Sequence, residues 1–167
     1  LWLDPSFGAS GDMLLGAFAE MVTDPQQALS PLRDLAIEDW EIDFEKTLRN
    51  GLNATKAEVT YRETSTGRKW SEIDALLKDS SLPPQVIEGS RQTFRLLAEV
   101  EAEQHGVAID DVHFHEIGAV DAILDVVGTW LLRFALEDEE GAIDEIVVGA
   151  VGLGSGSVKA SHGTLPL

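Results

Sequence analysis

The chain has 167 residues, 44% of them hydrophobic, with 30 Asp and Glu against 12 Lys and Arg and a net charge of −18. It contains no cysteine, which excludes disulfides, Cys-based zinc and iron–sulfur ligation and thiol catalysis. The acid excess opposes nucleic acid and anionic membrane, whose binding rests on Lys and Arg neutralising phosphates.

In chain order, Leu1-Trp2-Leu3-Asp4-Pro5 reads as a short strand stopped by proline. This start lacks the basic residues and apolar stretch of a signal peptide, so a cytoplasmic location is expected. It also lacks an initiator Met, and the natural start is expected a few residues earlier. Ser6-Phe7-Gly8-Ala9-Ser10-Gly11-Asp12 is a tight loop with Ser10 as N-cap of a helix over Met13 to Met21. Asp12 stands in its first turn, where the helix dipole favours an acid. Pro25 to Ala36 predicts a second helix. Trp40, Ile42 and Phe44 alternate with acids, then Asn50-Gly51 signals a turn, and Ala57, Val59 and Tyr61 alternate again. That is a β-hairpin.

Trp70 to Lys78 predicts a helix with Ile73, Leu76 and Leu77 buried, and Val86 to His105 a long one ended by Gly106. Val112 to His115 is short and extended. Val120 to Leu136 is a strongly apolar helix, nearly apolar all round and hence central. Glu137 to Glu140 reads as a solvated acidic turn, Ile143 to Val151 as a β-branched strand, and Gly152-Leu153-Gly154-Ser155-Gly156-Ser157 as a glycine-rich loop. The sum is an α/β (α+β) fold of one domain, a mixed sheet with an antiparallel hairpin covered by helices.

Three segments could carry chemistry. In His113-Phe114-His115-Glu116-Ile117-Gly118-Ala119-Val120-Asp121, residues two apart in an extended stretch share a face, so His113 and His115 would point together with Glu116 beside them. Asp121 and Asp125 stack on one side of the apolar helix, where a carboxylate is costly unless paired or metal-bound. Imidazole and carboxylate together suit zinc, nickel, manganese or iron. The same residues could instead cap backbone N–H groups or pair with arginine. The glycine-rich loop, continuing to His162-Gly163, could bring backbone N–H groups to a phosphate through Gly152, Gly154, Ser155 and Gly156. It lacks the Gly-Lys-Ser/Thr of a P-loop, and a flexible surface turn is the plainer reading. Asp4, Ser10, Gly11 and Asp12 lie where a strand gives way to a helix, a common ligand position in α/β sheets, or they serve only as caps. His105, ending the long helix, reads as a dipole partner. Trp130, Trp40 and Trp70 read as core.

These segments also carry a resemblance. Asp4-Pro5-Ser6-Phe7-Gly8-Ala9-Ser10-Gly11-Asp12-Met13 resembles the opening of the nickel insertion proteins that mature the nickel-pincer cofactor of lactate racemase, the LarC family. His113 to Asp121 resembles that family's most distinctive motif. Leu97-Ala98-Glu99-Val100-Glu101-Ala102, Val151 to Gly156, and His162-Gly163-Thr164-Leu165-Pro166 resemble others. The resemblance implies insertion of Ni(II) into a pyridinium mononucleotide bearing two thiocarboxylates, by a CTP-dependent nickel chelatase or cyclometallase of the lyase class. It also implies a C-terminal domain, beyond this N-terminal one, that holds CTP with a divalent Mg or Mn, and lactate racemase or other cofactor-biosynthesis proteins as partners. Several relatives carry a histidine-rich stretch where this chain has Arg62-Glu63-Thr64-Ser65-Thr66-Gly67-Arg68-Lys69.

The expectation for this chain is therefore a His and carboxylate cluster of His113, His115, Glu116, Asp121, Asp125 and His162 holding Ni(II). Glu116 or Asp121 would accept the proton lost when carbon bonds nickel. The mononucleotide's phosphate would rest on a glycine-rich loop, and a homo-oligomer is expected. The alternative is a non-catalytic scaffold or oligomerisation domain that positions the CTP-binding half. The acid excess then divides in two: most is solvated surface, while Asp4, Asp12, Glu116, Asp121 and Asp125 point towards a cation.

Overall fold

A computed structural model describes residues 1–49, 51–62, 67–114, 117–160 and 163–166. In chain order it contains β1 (Trp2–Leu3), α1 (Gly11–Ala19), α2 (Pro25–Ala28), a 3₁₀ turn (Ser30–Asp34), β2 (Trp40–Arg49), β3 (Leu52–Tyr61) and β4 (Arg68–Lys69). There follow α3 (Trp70–Lys78), α4 (Pro84–His105), a second 3₁₀ turn (Ile109–Asp111), β5 (His113–Phe114), α5 (Val120–Glu140), β6 (Val147–Val148), β7 (Ser157–Ala160) and β8 (Gly163–Pro166).

The period of two beginning at Trp40 produces the hairpin. Strands β2 and β3 pair antiparallel along their full length, from Trp40 opposite Tyr61 to Arg49 opposite Leu52. Gly51 at the turn has φ 83°, a backbone that side chains resist. One hairpin face is apolar, with Trp40, Ile42 and Ala57 buried. Helix α1 lies flush on that face: a Cβ at Gly16 would overlap the Thr55 carbonyl oxygen and stand 3.3 Å from the Ala57 nitrogen. Leu15 and Phe18 of α1 then meet Ile123, Leu124, Val127 and Leu132 of α5 in one continuous core. Each such side chain contributes roughly 1.5–3 kcal/mol by leaving water. On its other side α5 receives α4, whose Gly89 leaves space for the ring of Trp130.

Among the described residues the expected single mixed sheet does not form. Among the described residues the strands make four separate pairs: β1 with β6 parallel, and β2 with β3, β4 with β5 and β7 with β8 antiparallel. The apolar run from Ile143 to Val151 pairs only over Val147–Val148. Its partner is equally short because Pro5, which has no N–H, ends the ladder; the Pro5 carbonyl instead accepts from Gly8 at 2.9 Å and Gly152 at 2.8 Å.

Three helices differ from expectation. The run from Pro25 breaks into α2 and a 3₁₀ turn because Pro31 cannot continue an α-helix. Helix α5 is two-faced rather than apolar all round. Val120, Ile123, Leu124, Val127, Leu131 and Leu132 are buried, while Asp121, Asp125, Thr129 and Arg133 lie on a half-buried side. The acids Glu137 to Glu140 form its last turn rather than a turn beyond it, and Asp138, Glu139 and Glu140 are exposed there as expected of solvated acids. Arg133 donates to Glu137 at 2.8 Å, and the backbone N–H and hydroxyl of Thr23 donate to Glu139 at 3.0 and 2.8 Å. These partners offset the repulsion between acids and the helix C-terminus. Helices α3 and α4 match their sequence signals closely, and Gly106 ends α4 in the left-handed region at φ 64°. No helix among the described residues is long and apolar enough to cross a membrane.

Candidate functional site

The junction between the N-terminus of α1 and the first half of α5 gathers five of the residues singled out in the sequence. The carboxylate of Asp125 lies against the backbone of Gly11, and a Cβ there would overlap its oxygen and stand 2.6 Å from its own Cβ. Only glycine permits this approach. Asp125 Oδ1 is buried and has no hydrogen-bond partner. Burial, then the charges of Asp12 and Asp121, push the Asp125 carboxyl up to about 7. A desolvated carboxylate facing two others is held in its protonated form well above the usual range.

The neighbouring acids are better accommodated. Asp121, in the first turn of α5, accepts the N–H of Ala122 at 2.9 Å. Asp12, in the first turn of α1, accepts the hydroxyl of Ser10. Ser10 occupies the N-cap position by its backbone, but its side chain makes no cap bond because the hydroxyl turns to Asp12 instead.

Beside Asp125 opens a cleft of about 250 Å³. Its walls include Leu14 and Phe18 of α1, Trp130 of α5 and Ile146 before β6. Asp125, Thr129 and Arg133 recur every fourth residue of α5 and line it from one side. Thr129 Oγ1 and Arg133 Nε are also buried without partners. Trp130 packs against the core as expected and is half-buried at this cleft; its indole N–H donates to Thr93 at 3.2 Å. Thr129 and Arg133 escaped the sequence reading. Their signal was present as polar residues at helical spacing from Asp125 on a helix otherwise rich in apolar side chains.

Asp4 and Gly152 sit together in a second location. Asp4 accepts the Ser6 N–H at 3.1 Å and so closes the turn after β1. A Cβ at Gly152 would overlap the Ser6 carbonyl oxygen, so this glycine allows the two loops to pack. Gly154, Ser155 and Gly156 are exposed beyond it.

His113 is exposed on β5, opposite Lys69 of β4, with its ring beneath Gly67. His115, Glu116 and His162 lie outside the described residues. Among the described residues no three of histidine, aspartate and glutamate are arranged to hold a metal ion, so neither His113, Asp121 and Asp125 nor Asp12, Asp121 and Asp125 form a centre by themselves. What the junction does offer is a buried carboxylate oxygen without a partner, beside two further carboxylates.

Residues 1–167 match the family model described as nickel insertion protein. A protein of Desulfitobacterium hafniense named pyridinium-3,5-bisthiocarboxylic acid mononucleotide nickel insertion protein is 39% identical over 166 residues, covering 99% of this chain and 40% of that protein. One of the same name from Staphylococcus saprophyticus is 37% identical over 167 residues, covering 100% and 41%. The chain thus spans about 40% of the length of these curated relatives. No solved structure matches it. With its whole length matched by one model, the chain belongs to the nickel insertion protein family.

Proposed function

We propose that this chain is the N-terminal domain of a nickel insertase that places Ni(II) in pyridinium-3,5-bisthiocarboxylic acid mononucleotide, consuming CTP, to make the nickel-pincer cofactor of lactate racemase. The substrate is the one in the relatives' names. The observation that carries the reading is Asp125, a buried carboxylate with an unpartnered oxygen beside Asp12 and Asp121. Without cysteine, the domain can offer Ni(II) no thiolate, leaving that sulfur to the substrate.

In this reading Asp121 and Asp125 contribute oxygens to Ni(II), and His113, His115, Glu116 and His162 supply the remaining donors. Nickel is the cargo of the reaction. Forming the nickel–carbon bond breaks a ring C–H bond, and the released proton needs an acceptor. A carboxylate oxygen of the cluster that Ni(II) leaves free, on Glu116 or Asp121, takes that role. Equilibrium dialysis of Ni(II) against wild type, Asp125→Asn and the His113→Ala/His115→Ala double variant tests the assignment. Weaker binding in both variants is expected, and unchanged affinity and stoichiometry in both would sink the ligand set.

The scaffold reading has one observation in its favour. Trp2, Phe7 and Leu153, around β1 and the adjoining loops, are 68%, 99% and 85% exposed. Apolar side chains so open to water mark contact surfaces. Gel filtration with metal analysis separates the readings: a persistent oligomer with no bound nickel is the scaffold's signature.

A further inference from the structure

Strands β1 and β6 form a ladder that is unusual for its kind. It is parallel, and only Trp2 and Leu3 pair with Val147 and Val148. Parallel sheets are stable when both faces are covered, and their strands are then near-continuous apolar runs. Ile146 to Val151 is such a run, without a polar side chain. Yet Ile146, Val147, Val148 and Val151 are all exposed, as is Trp2 opposite Val147.

The backbone is open as well. Val147 and Gly149 donate to the carbonyls of Leu1 and Leu3, each at 2.9 Å, so the N–H of Val148 between them points away from β1. Among the described residues no strand takes that edge. An uncharged open edge is a template for another strand. The apolar cleft of about 250 Å³ adjoins it, where Leu3 and Ile146 meet Leu14, Phe18 and Trp130. Two short strands leave this ground between α1 and α5 partly unroofed.

The path of the chain favours one occupant. Pro166 of β8 lies opposite Ser157 of β7. Ser157 is five residues from Gly152, a span of at most about 18 Å. The Gly152 N–H is bonded at 2.8 Å to the Pro5 carbonyl, just beyond β1. Chain continuing from β8 therefore begins beside the open ladder, at high effective concentration. A second copy would bring a further charge of −18 to the surface and give up its free translation.

We propose that a segment following residue 167 in the full-length protein adds a strand along the outer edge of β6 and covers the apolar surface of ladder and cleft. The inference rests on the reading of this chain as an N-terminal domain, supported by its covering about 40% of the relatives' length, and adds where the rest of the protein attaches. The added strand bonds the Val148 N–H, and its apolar side chains shield the run from Ile146 to Val151.

The test is hydrogen–deuterium exchange of the full-length wild type, resolved at Val147 and Val148. The Val147 N–H, bonded within the ladder, is the internal reference. The Val148 N–H should be slowed alongside it, on the order of a hundredfold below an unstructured chain. Leu153→p-benzoylphenylalanine, at an exposed loop position, then reads which chain lies over the surface. Irradiated as a mixture of light and heavy-isotope protein, it should give cross-links within single chains, to peptides beyond residue 167. Fast exchange at Val148, or cross-links confined to residues 1–167, would overturn the proposal. Mixed-isotope cross-links would overturn it in favour of a second copy. A natural protein no longer than this chain would overturn both the proposal and the N-terminal-domain reading, and its mass alone reveals that. Nickel is absent from every readout, so their failure is distinct from a failure of the insertase reading, which dialysis with Ni(II) tests.

Discussion

The carboxylate of Asp125 rests directly on the backbone of Gly11, one turn along α5 from Asp121, and this contact joins the two halves of the acidic junction. Gly11→Ala tests it. At an ordinary helical position this change would stabilise the protein by up to about 1 kcal/mol. Here the new methyl overlaps Asp125, and overpacking costs about 1–3 kcal/mol, so net destabilisation is expected. Urea unfolding of Gly11→Ala, Asp125→Ala and the double variant measures the coupling. The double variant should recover much of the loss, and strict additivity would disprove the contact's importance.

The pH dependence of the metal-free protein follows from the same residue. The folded Asp125 carboxyl, pushed up to about 7, lies above its unfolded value of about 3.9. Between these values the native state holds a proton that the unfolded state has released, so stability falls as pH rises, and the penalty is complete above the folded value. Asp125→Asn removes this contribution. Melting curves between pH 5 and 8 should show wild type losing Tm relative to Asp125→Asn as pH increases. A constant difference would show that the carboxyl is not shifted.

Gly16 sets how closely α1 approaches the hairpin. A Cβ there overlaps a β3 backbone carbonyl, which unlike a side chain cannot rotate away. Gly16→Ala is expected to destabilise by about 1–3 kcal/mol despite better helix propensity. An unchanged urea midpoint would show that the interface yields.

The acidic end of α5 offers a contrast between neighbours. Glu137 pairs with Arg133, and both side chains are mostly buried, whereas Glu139 reaches Thr23 at the surface. Glu137→Ala should cost about 1.5–3 kcal/mol, as for a hydrogen bond to a charged group. Glu139→Ala should cost about 1 kcal/mol or less, in the range of a surface cap. Thermal unfolding of the pair checks the order, and equal losses would return both residues to the status of solvated acids.

What could be read from the sequence was local. The alternation from Trp40 to Phe44 and from Ala57 to Tyr61, the stripe in α3 and the Gly106 stop are properties of a few adjacent residues, and each appears where expected. Features set by distant partners were not legible. Glu139 reads as a free surface acid until Thr23, 116 residues away in the chain, is brought to that turn. The run from Ile143 reads as a full strand until its partner proves to end at Pro5. The site divides the same way. Asp121 and Asp125 were visible as acids interrupting an apolar helix. The cleft was not, because Thr129 and Arg133 gain meaning only when α1 supplies the opposite wall.

The central claim is that Asp125 and its neighbours receive nickel. Anomalous scattering at the nickel edge from a nickel-soaked crystal of the full-length protein tests it most directly. The account predicts a peak within bonding distance of an Asp125 carboxylate oxygen, shared with Asp121 or a residue of the His113 to Glu116 segment. A peak of full occupancy elsewhere, with the Asp125 carboxylate bare, would contradict it.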